Sequence, residues 1–256
     1  ILFAAMYWTL LLLFLCCAAS SAYLQPQQRI VGGNDINIYN APWQVSLQLS
    51  ARHVCGGCIY SKNIIITAAH CVEHKSVTLL QVRVGAGQHN SGGKLMSVAD
   101  YKLHELYDAK FQHFDIALLR LSTDLTFGLT VRAIGLASSS AAHGQSVSMS
   151  GWGSTEPTGS LANNLQSVQL QIIERENCAS SQYGYGWLLV GEETICAAAA
   201  NKDACAGDAG GALVADNNLL VGIVSRGYDC ALANYPGVYV DVAKLRAWII
   251  KTANEM

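Results

Sequence analysis

His70 ends the run Thr67-Ala68-Ala69-His70-Cys71, directly after the apolar stretch Ile64-Ile65-Ile66. Histidine is the side chain that takes and returns a proton near neutral pH. Asp115 opens Asp115-Ile116-Ala117-Leu118-Leu119, a carboxylate at the start of another apolar run. A third stretch, Lys202-Asp203-Ala204-Cys205-Ala206-Gly207-Asp208-Ala209-Gly210-Gly211-Ala212-Leu213, sets two carboxylates among glycines and small residues. A base, a carboxylate that orients it and backbone N–H donors are parts of acyl transfer through a covalent intermediate. Such chemistry also needs a nucleophile. Residue 209 is alanine, with no lone pair to attack and no proton for a base to take.

The three segments resemble those of the trypsin-like serine proteases, a family of chymotrypsin fold, and follow its chain order. That family reads Lys-Asp-(Ser/Ala)-Cys-x-Gly-Asp-Ser-Gly-Gly-Pro where this chain has residues 202–212. The serine is replaced by Ala209 and the proline by Ala212. The resemblance implies that His70 is the general base and that a buried Asp115 fixes its tautomer. Ala209 then occupies the place of the nucleophile and leaves the triad inactive. The N–H groups of Gly207 and Ala209 are the implied oxyanion hole. Asp203 is the implied acidic floor of a primary pocket for Lys or Arg, and Gly227 and Gly237 are its wall glycines. Ser225 is the implied support of Asp115.

Arg226 departs from the family, which has an apolar tryptophan there as a wall for substrate residues next to the cleaved one. Two expectations stand for it: the side chain swings out to solvent, or it ties to Asp229 and narrows the pocket mouth. Gly151-Trp152-Gly153 and Pro236-Gly237-Val238-Tyr239 extend the match, which runs from Arg29 to about Thr252. Its texture is that of insect digestive trypsins. The other histidines show no metal-ligand spacing. The segment 85–93 lacks the two glutamates of the family's calcium loop, so no metal and no cofactor are expected.

These residues need elements to position them. Trp43–Leu49 alternates apolar and polar with the period of a strand. Ile64–Thr67, Leu79–Val84, Ile116–Leu121, Ser146–Ser150, Leu165–Ile173, Leu213–Val214, Leu219–Ser225 and Gly237–Val240 are further strand candidates. Val242, Leu245, Trp248, Ile249 and Thr252 form the stripe of one amphipathic helix, with basic residues expected in its last turns. The fold class is all-β. The resemblance sharpens it to two six-stranded antiparallel β-barrels with a C-terminal α-helix.

Residues 1–22 hold the apolar run Leu10–Ala19 followed by Ser20-Ser21-Ala22, which reads as a signal peptide. Residues 23–29 read as an activation propeptide and 30–256 as the trypsin-like domain. Arg29 before Ile30-Val31-Gly32-Gly33 resembles a zymogen junction. The resemblance implies that cutting there frees an ammonium at Ile30 that pairs with Asp208. Nine cysteines suit an oxidising compartment, hence a secreted, extracellular chain. The resemblance implies the bridges Cys55–Cys71, Cys178–Cys196 and Cys205–Cys230, with Cys58 as a free thiol.

With 13% charged residues and a net charge of −2, the chain has no electrostatic case for nucleic acid or an anionic membrane. The expected function is a secreted, non-hydrolytic serine protease homologue, binding or regulatory. The alternative is a digestive trypsin cleaving after Lys or Arg, disabled by a Ser-to-Ala change at 209. Expected partners are peptides or proteins presenting Lys or Arg, including protease inhibitors or other proteases. The chain itself is expected to be a monomer, off the membrane once the signal is removed.

Overall fold

The structure is a computed structural model that describes residues 33–154, 159–180, 183, 185–200, 205–227 and 235–256. The signal and propeptide assignments, together with Arg29, Ile30, Asp203, Asp229 and Cys230, lie outside the described residues.

Among the described residues the strands form two closed six-stranded antiparallel barrels. The first consists of β2 (Gln44–Leu49), β3 (Arg52–Ile59), β4 (Ile64–Thr67), β5 (Leu80–Val84), β6 (Lys94–Leu103) and β7 (Ala117–Leu121), in the order β2-β3-β4-β7-β6-β5. Strand β5 shows why it closes: Leu80, Val82 and Val84 are buried while Gln81 and Arg83 between them are not. Opposite them, Leu47, Ile65 and Leu119 complete one apolar interior.

The second barrel consists of β9 (Ser146–Gly151), β10 (Gln166–Ile173), β11 (Thr194–Ala198), β12 (Ala212–Ala215), β13 (Leu219–Arg226) and β14 (Gly237–Asp241). It runs β10-β11-β14-β13-β12-β9 and closes through β10 against β9. Two-residue strands flank it: β1 (Asn34–Asp35) pairs with β10, and β8 (Gly135–Leu136) runs parallel to β13. One hydrophobic cluster joins the barrels, bringing Trp43, Ile66 and Leu118 of the first against Trp152, Ala212 and Ile223 of the second.

Strands β3, β6 and β11 were not among the sequence expectations. β3 carries two glycines, and β6 is largely exposed, so neither shows a clean alternation. β11 is the short run Thr-Ile-Cys-Ala-Ala, almost wholly buried, with no polar phase to reveal its period.

A short helix α1 (Arg175–Ala179) precedes the C-terminal helix α2 (Val242–Glu255). Asp241 caps α2 by accepting from the N–H of Ala243 at 3.0 Å. Val242, Leu245, Ile249 and Thr252 are buried, as the stripe requires. Trp248 is only partly buried and donates its indole N–H to Glu105 at 2.7 Å. The helix continues past Thr252, so its last turn holds no basic residue, contrary to expectation. Lys251 lies one turn earlier and faces Glu255 at 3.9 Å.

Candidate active site

His70 lies in a 3₁₀ turn, Ala69–Cys71, directly after β4. The neighbouring Cys71 is bridged to Cys55 on β3, which pins the turn to the barrel wall. The His70 Nδ1–H donates to Asp115 Oδ2 at 2.7 Å, and the His70 backbone N–H donates to Oδ1 at 2.9 Å. Ser225 Oγ donates to the same Oδ2 at 2.7 Å. Asp115 has no exposed surface, so three donors hold a buried carboxylate from two barrels. With Nδ1 donating, the neutral ring presents its lone pair on Nε2. That is the arrangement of an oriented general base.

Ser225 reaches inward because β13 shifts register against β14 between Val224 and Arg226. A bulge of this kind re-aims the side chain it carries.

Cys55, His70 and Cys71 lie close enough to suggest a metal cluster. Both sulfurs are committed to the disulfide and offer no thiolate.

The loop from Cys205 to Gly211 is fixed at several points. Asp208 N–H donates to Cys205 O at 2.9 Å, and Gly210 N–H donates to Val224 O at 2.7 Å. Ala209 O accepts from Gly56 N–H of the first barrel at 2.8 Å. Gly210 has φ +79°, and a Cβ there would come within 2.2 Å of Thr67 Oγ1. Only glycine lets the loop approach β4 this closely. Ala209 packs its methyl on the first barrel's interior cluster. Among the described residues, no acceptor meets the N–H of Gly207 or of Ala209.

Asp208 is fully buried and accepts from Gly153 N–H at 2.8 Å and Cys205 N–H at 3.1 Å. Burial raises its carboxyl to about 6, and the two backbone donors only partly offset that. A Cβ on Gly153 would sit 2.1 Å from Asp208 Oδ2, so the glycine makes the room the carboxylate uses.

His53 was not singled out from the sequence. Its Nε2 lies 2.9 Å from Gly207 O, and its Nδ1 lies 2.8 Å from Ser46 Oγ. A carbonyl only accepts, so Nε2 carries the proton and Nδ1 accepts from the serine. Burial lowers this imidazole to about 4, so it is neutral at pH 7. His53 therefore orients the peptide that carries the Gly207 carbonyl. No sequence motif marks it; its role comes from the β2–β3 pairing that sets His53 opposite Gln48, close to Ser46.

Arg226 does not take the first expected course, a swing out to solvent; the second involves Asp229, which lies outside the described residues. Its Nη1 donates to Phe111 O and its Nη2 to Leu189 O, so the half-buried side chain is turned inward. Nearby, His113 Nδ1 lies 2.7 Å from Glu193 Oε1, and His113 Nε2 donates to Leu188 O at 3.1 Å. Glu193 is 6% exposed. Sequence reading passed over both residues, which lie in segments with no recognisable pattern.

The remaining candidates scatter around this centre. Gly227 is exposed just beyond β13, and Gly237 is buried at the start of β14, opposite Ala197. Cys178 and Cys196 form a second disulfide that ties α1 to β11. Cys205 is disulfide-bonded, and the partner inferred for it, Cys230, is outside the described residues. Cys58 is a free thiol with no exposed surface, and burial pushes its titration well above the ordinary range. Such a sulfur behaves as a small apolar group.

Comparison with known proteins agrees with this geometry. Residues 30–249 match the family model described as Trypsin. The chain is 63% identical to trypsin iota of Drosophila melanogaster over 226 residues, covering 88% of this chain and 89% of the relative. It is 50% identical to trypsin delta of the same organism, with 88% of each chain covered. Among solved structures it resembles mouse neuropsin, a serine protease expressed in the limbic system of the brain, with a TM-score of 0.79 and 32% identity. That match covers 86% of this chain and 98% of the other. No helix among the described residues is long and apolar enough to cross a membrane. An oriented His70–Asp115 pair between two closed barrels, joined to these matches, means that the chain belongs to the trypsin-like family of serine proteases.

Proposed function

We propose that the protein is a secreted, non-hydrolytic trypsin homologue that binds basic side chains and acts as a binding or regulatory module. One observation carries this reading: residue 209, on the loop beside the His70–Asp115 pair, is alanine. His70 has a correctly placed base nitrogen and no hydroxyl at 209 to deprotonate. In another serine protease, loss of the nucleophile lowers kcat by about 10⁶, or about 8–9 kcal/mol of barrier. The binding parts do not depend on that oxygen. The Gly207 and Ala209 N–H groups remain available for a carbonyl oxygen, and Asp203 supplies the charge for Lys or Arg.

Activation fits the same frame. An ionised Asp208 is buried with two backbone donors and no described cation. The ammonium freed at Ile30 by a cut after Arg29 supplies that charge, so the ion pair and the ordered loop form together.

A second reading is a digestive trypsin-type endopeptidase disabled by the substitution at 209. The intact His70–Asp115–Ser225 network favours it, since a chain released from catalysis has no need to keep a base oriented. The codon for residue 209 in the source transcript separates the two, a serine codon supporting the second.

The test is to cut the protein after Arg29 and assay an arginine ester. The protein as it stands gives no turnover, and the Ala209→Ser variant gives turnover. An Ala209→Ser variant that stays inert while binding benzamidine would show that more than the nucleophile is missing.

A further inference from the structure

Arg226 begins one residue after Ser225, whose hydroxyl holds Asp115. Its guanidinium ends at Phe111 O, four residues before Asp115, and at Leu189 O, on the turn before β11. Phe111 belongs to the segment leading into β7 of the first barrel; Leu189 belongs to the second. The side chain therefore crosses from one barrel's loop to the other's beside the base.

It does not cross alone. His113 links the same two loops, through Leu188 O and Glu193, and Phe114 N–H adds a bond to Glu193 Oε1 at 3.3 Å. Both loops are stiff in themselves. Asp108 Oδ1 accepts from the N–H groups of Lys110 and Phe111 at 2.8 and 3.2 Å, and Gly186 O accepts from Leu189 and Val190, each at 3.2 Å. Arg226 Nε is buried and meets no acceptor among the described residues. The guanidinium is thus held at a desolvation cost by its two Nη contacts.

We propose that Arg226 is a specificity-determining strap: by tying the 111–114 segment to the 188–193 segment, it restricts the cleft to a single basic side chain and rejects an extended apolar peptide on that side. This rests on the basic-side-chain reading above. An apolar residue of the ligand laid along this edge would meet a fixed cation whose hydrogen bonds it cannot replace. Burying it there would require breaking both Nη contacts. A ligand that enters with one cation and goes no further leaves the strap untouched.

Two measurements test this on the full chain cut after Arg29. The first compares binding of N-acetyl-arginine amide and N-acetyl-Phe-Phe-arginine amide by calorimetry. The strap predicts affinities within about threefold of each other for the protein as it stands. In Arg226→Trp the longer ligand gains about tenfold, the scale of a well-packed aromatic contact. A tenfold preference for the longer ligand without the substitution overturns the proposal.

The second measurement is amide hydrogen exchange in the absence of ligand. Arg226→Ala raises exchange across 111–114 and 186–190 by about tenfold or more, while β9 and β10 keep their protection. Unchanged exchange in both segments overturns the strap. If neither ligand binds either protein, the basic-side-chain reading falls, and exchange alone decides whether the strap exists.

Discussion

His70 Nδ1 lies 2.7 Å from Asp115 Oδ2, with the carboxylate sealed from solvent. The pair is set to hold one tautomer whether or not a nucleophile is present. In an Ala209→Ser background, Asp115→Asn replaces an acceptor by an amide that favours the wrong tautomer. The expected loss in kcat is about 10⁴, as for the matching change in a serine protease of this fold. Steady-state hydrolysis of an arginine ester measures it, and a loss below tenfold would mean that the pair does not orient a working base.

Ser225 contributes to the same carboxylate from the second barrel. Ser225→Ala removes one donor from a buried charged group, at a cost of about 1.5–3 kcal/mol. Urea unfolding at pH 7 reads this directly. A midpoint equal to the parent's would show that the 2.7 Å contact carries no stability.

Asp208 and His53 give opposite pH dependences. Burial raises Asp208 from 3.8 to about 6, so its stabilising contribution is full below pH 3.8 and is lost as pH rises through 6. Burial lowers His53 from 6.5 to about 4, so its contribution is full above pH 6.5 and is lost as pH falls through 4. Each is worth on the order of 3 kcal/mol. With the Arg29 cut blocked by Arg29→Gln, Asp208→Asn leaves the His53 dependence, and the unfolding midpoint climbs between pH 4 and about 6.5. His53→Gln leaves the Asp208 dependence, and the midpoint falls over that range. A rising profile in His53→Gln would contradict the Asp208 assignment, and a falling profile in Asp208→Asn would contradict the His53 assignment. Cutting after Arg29 in the parent supplies the Ile30 ammonium and removes the Asp208 slope.

Gly210 is the tightest passage of the loop. Gly210→Ala combines a left-handed φ of +79° with a Cβ 2.2 Å from Thr67 Oγ1. The backbone strain alone is about 1–3 kcal/mol. Thermal unfolding is expected to shift down by several degrees, and Gly56–Ala209 pairing to weaken in hydrogen exchange. An unchanged melting temperature would show that the loop relaxes freely.

Much of the site was readable because its residues lie in short motifs next to strands. His70 follows β4, Asp115 precedes β7, and Asp208 precedes β12, so each inherits its position from an apolar run whose period shows in the sequence. Parts built across the fold were not readable. His53 faces Gly207 across 154 residues and His113 faces Glu193 across 80, with no local pattern at either end. Arg226 was visible as a departure, but its partners are backbone carbonyls, which have no sequence signature. Strands β3 and β6 were missed because each shifts register against a neighbour, between Leu47 and Gln48 of β2 for one and between Val98 and Asp100 for the other. A bulge breaks the two-residue alternation that reveals a strand.

The most direct measurement of the central claim is labelling with a fluorophosphonate, which phosphonylates an activated serine hydroxyl, after cleavage at Arg29, with the labelled residue located by peptide mapping. The account predicts no label on the protein as it stands and one label per chain at residue 209 of Ala209→Ser. Stoichiometric labelling of the Ala209 protein within the His70 cleft would contradict it.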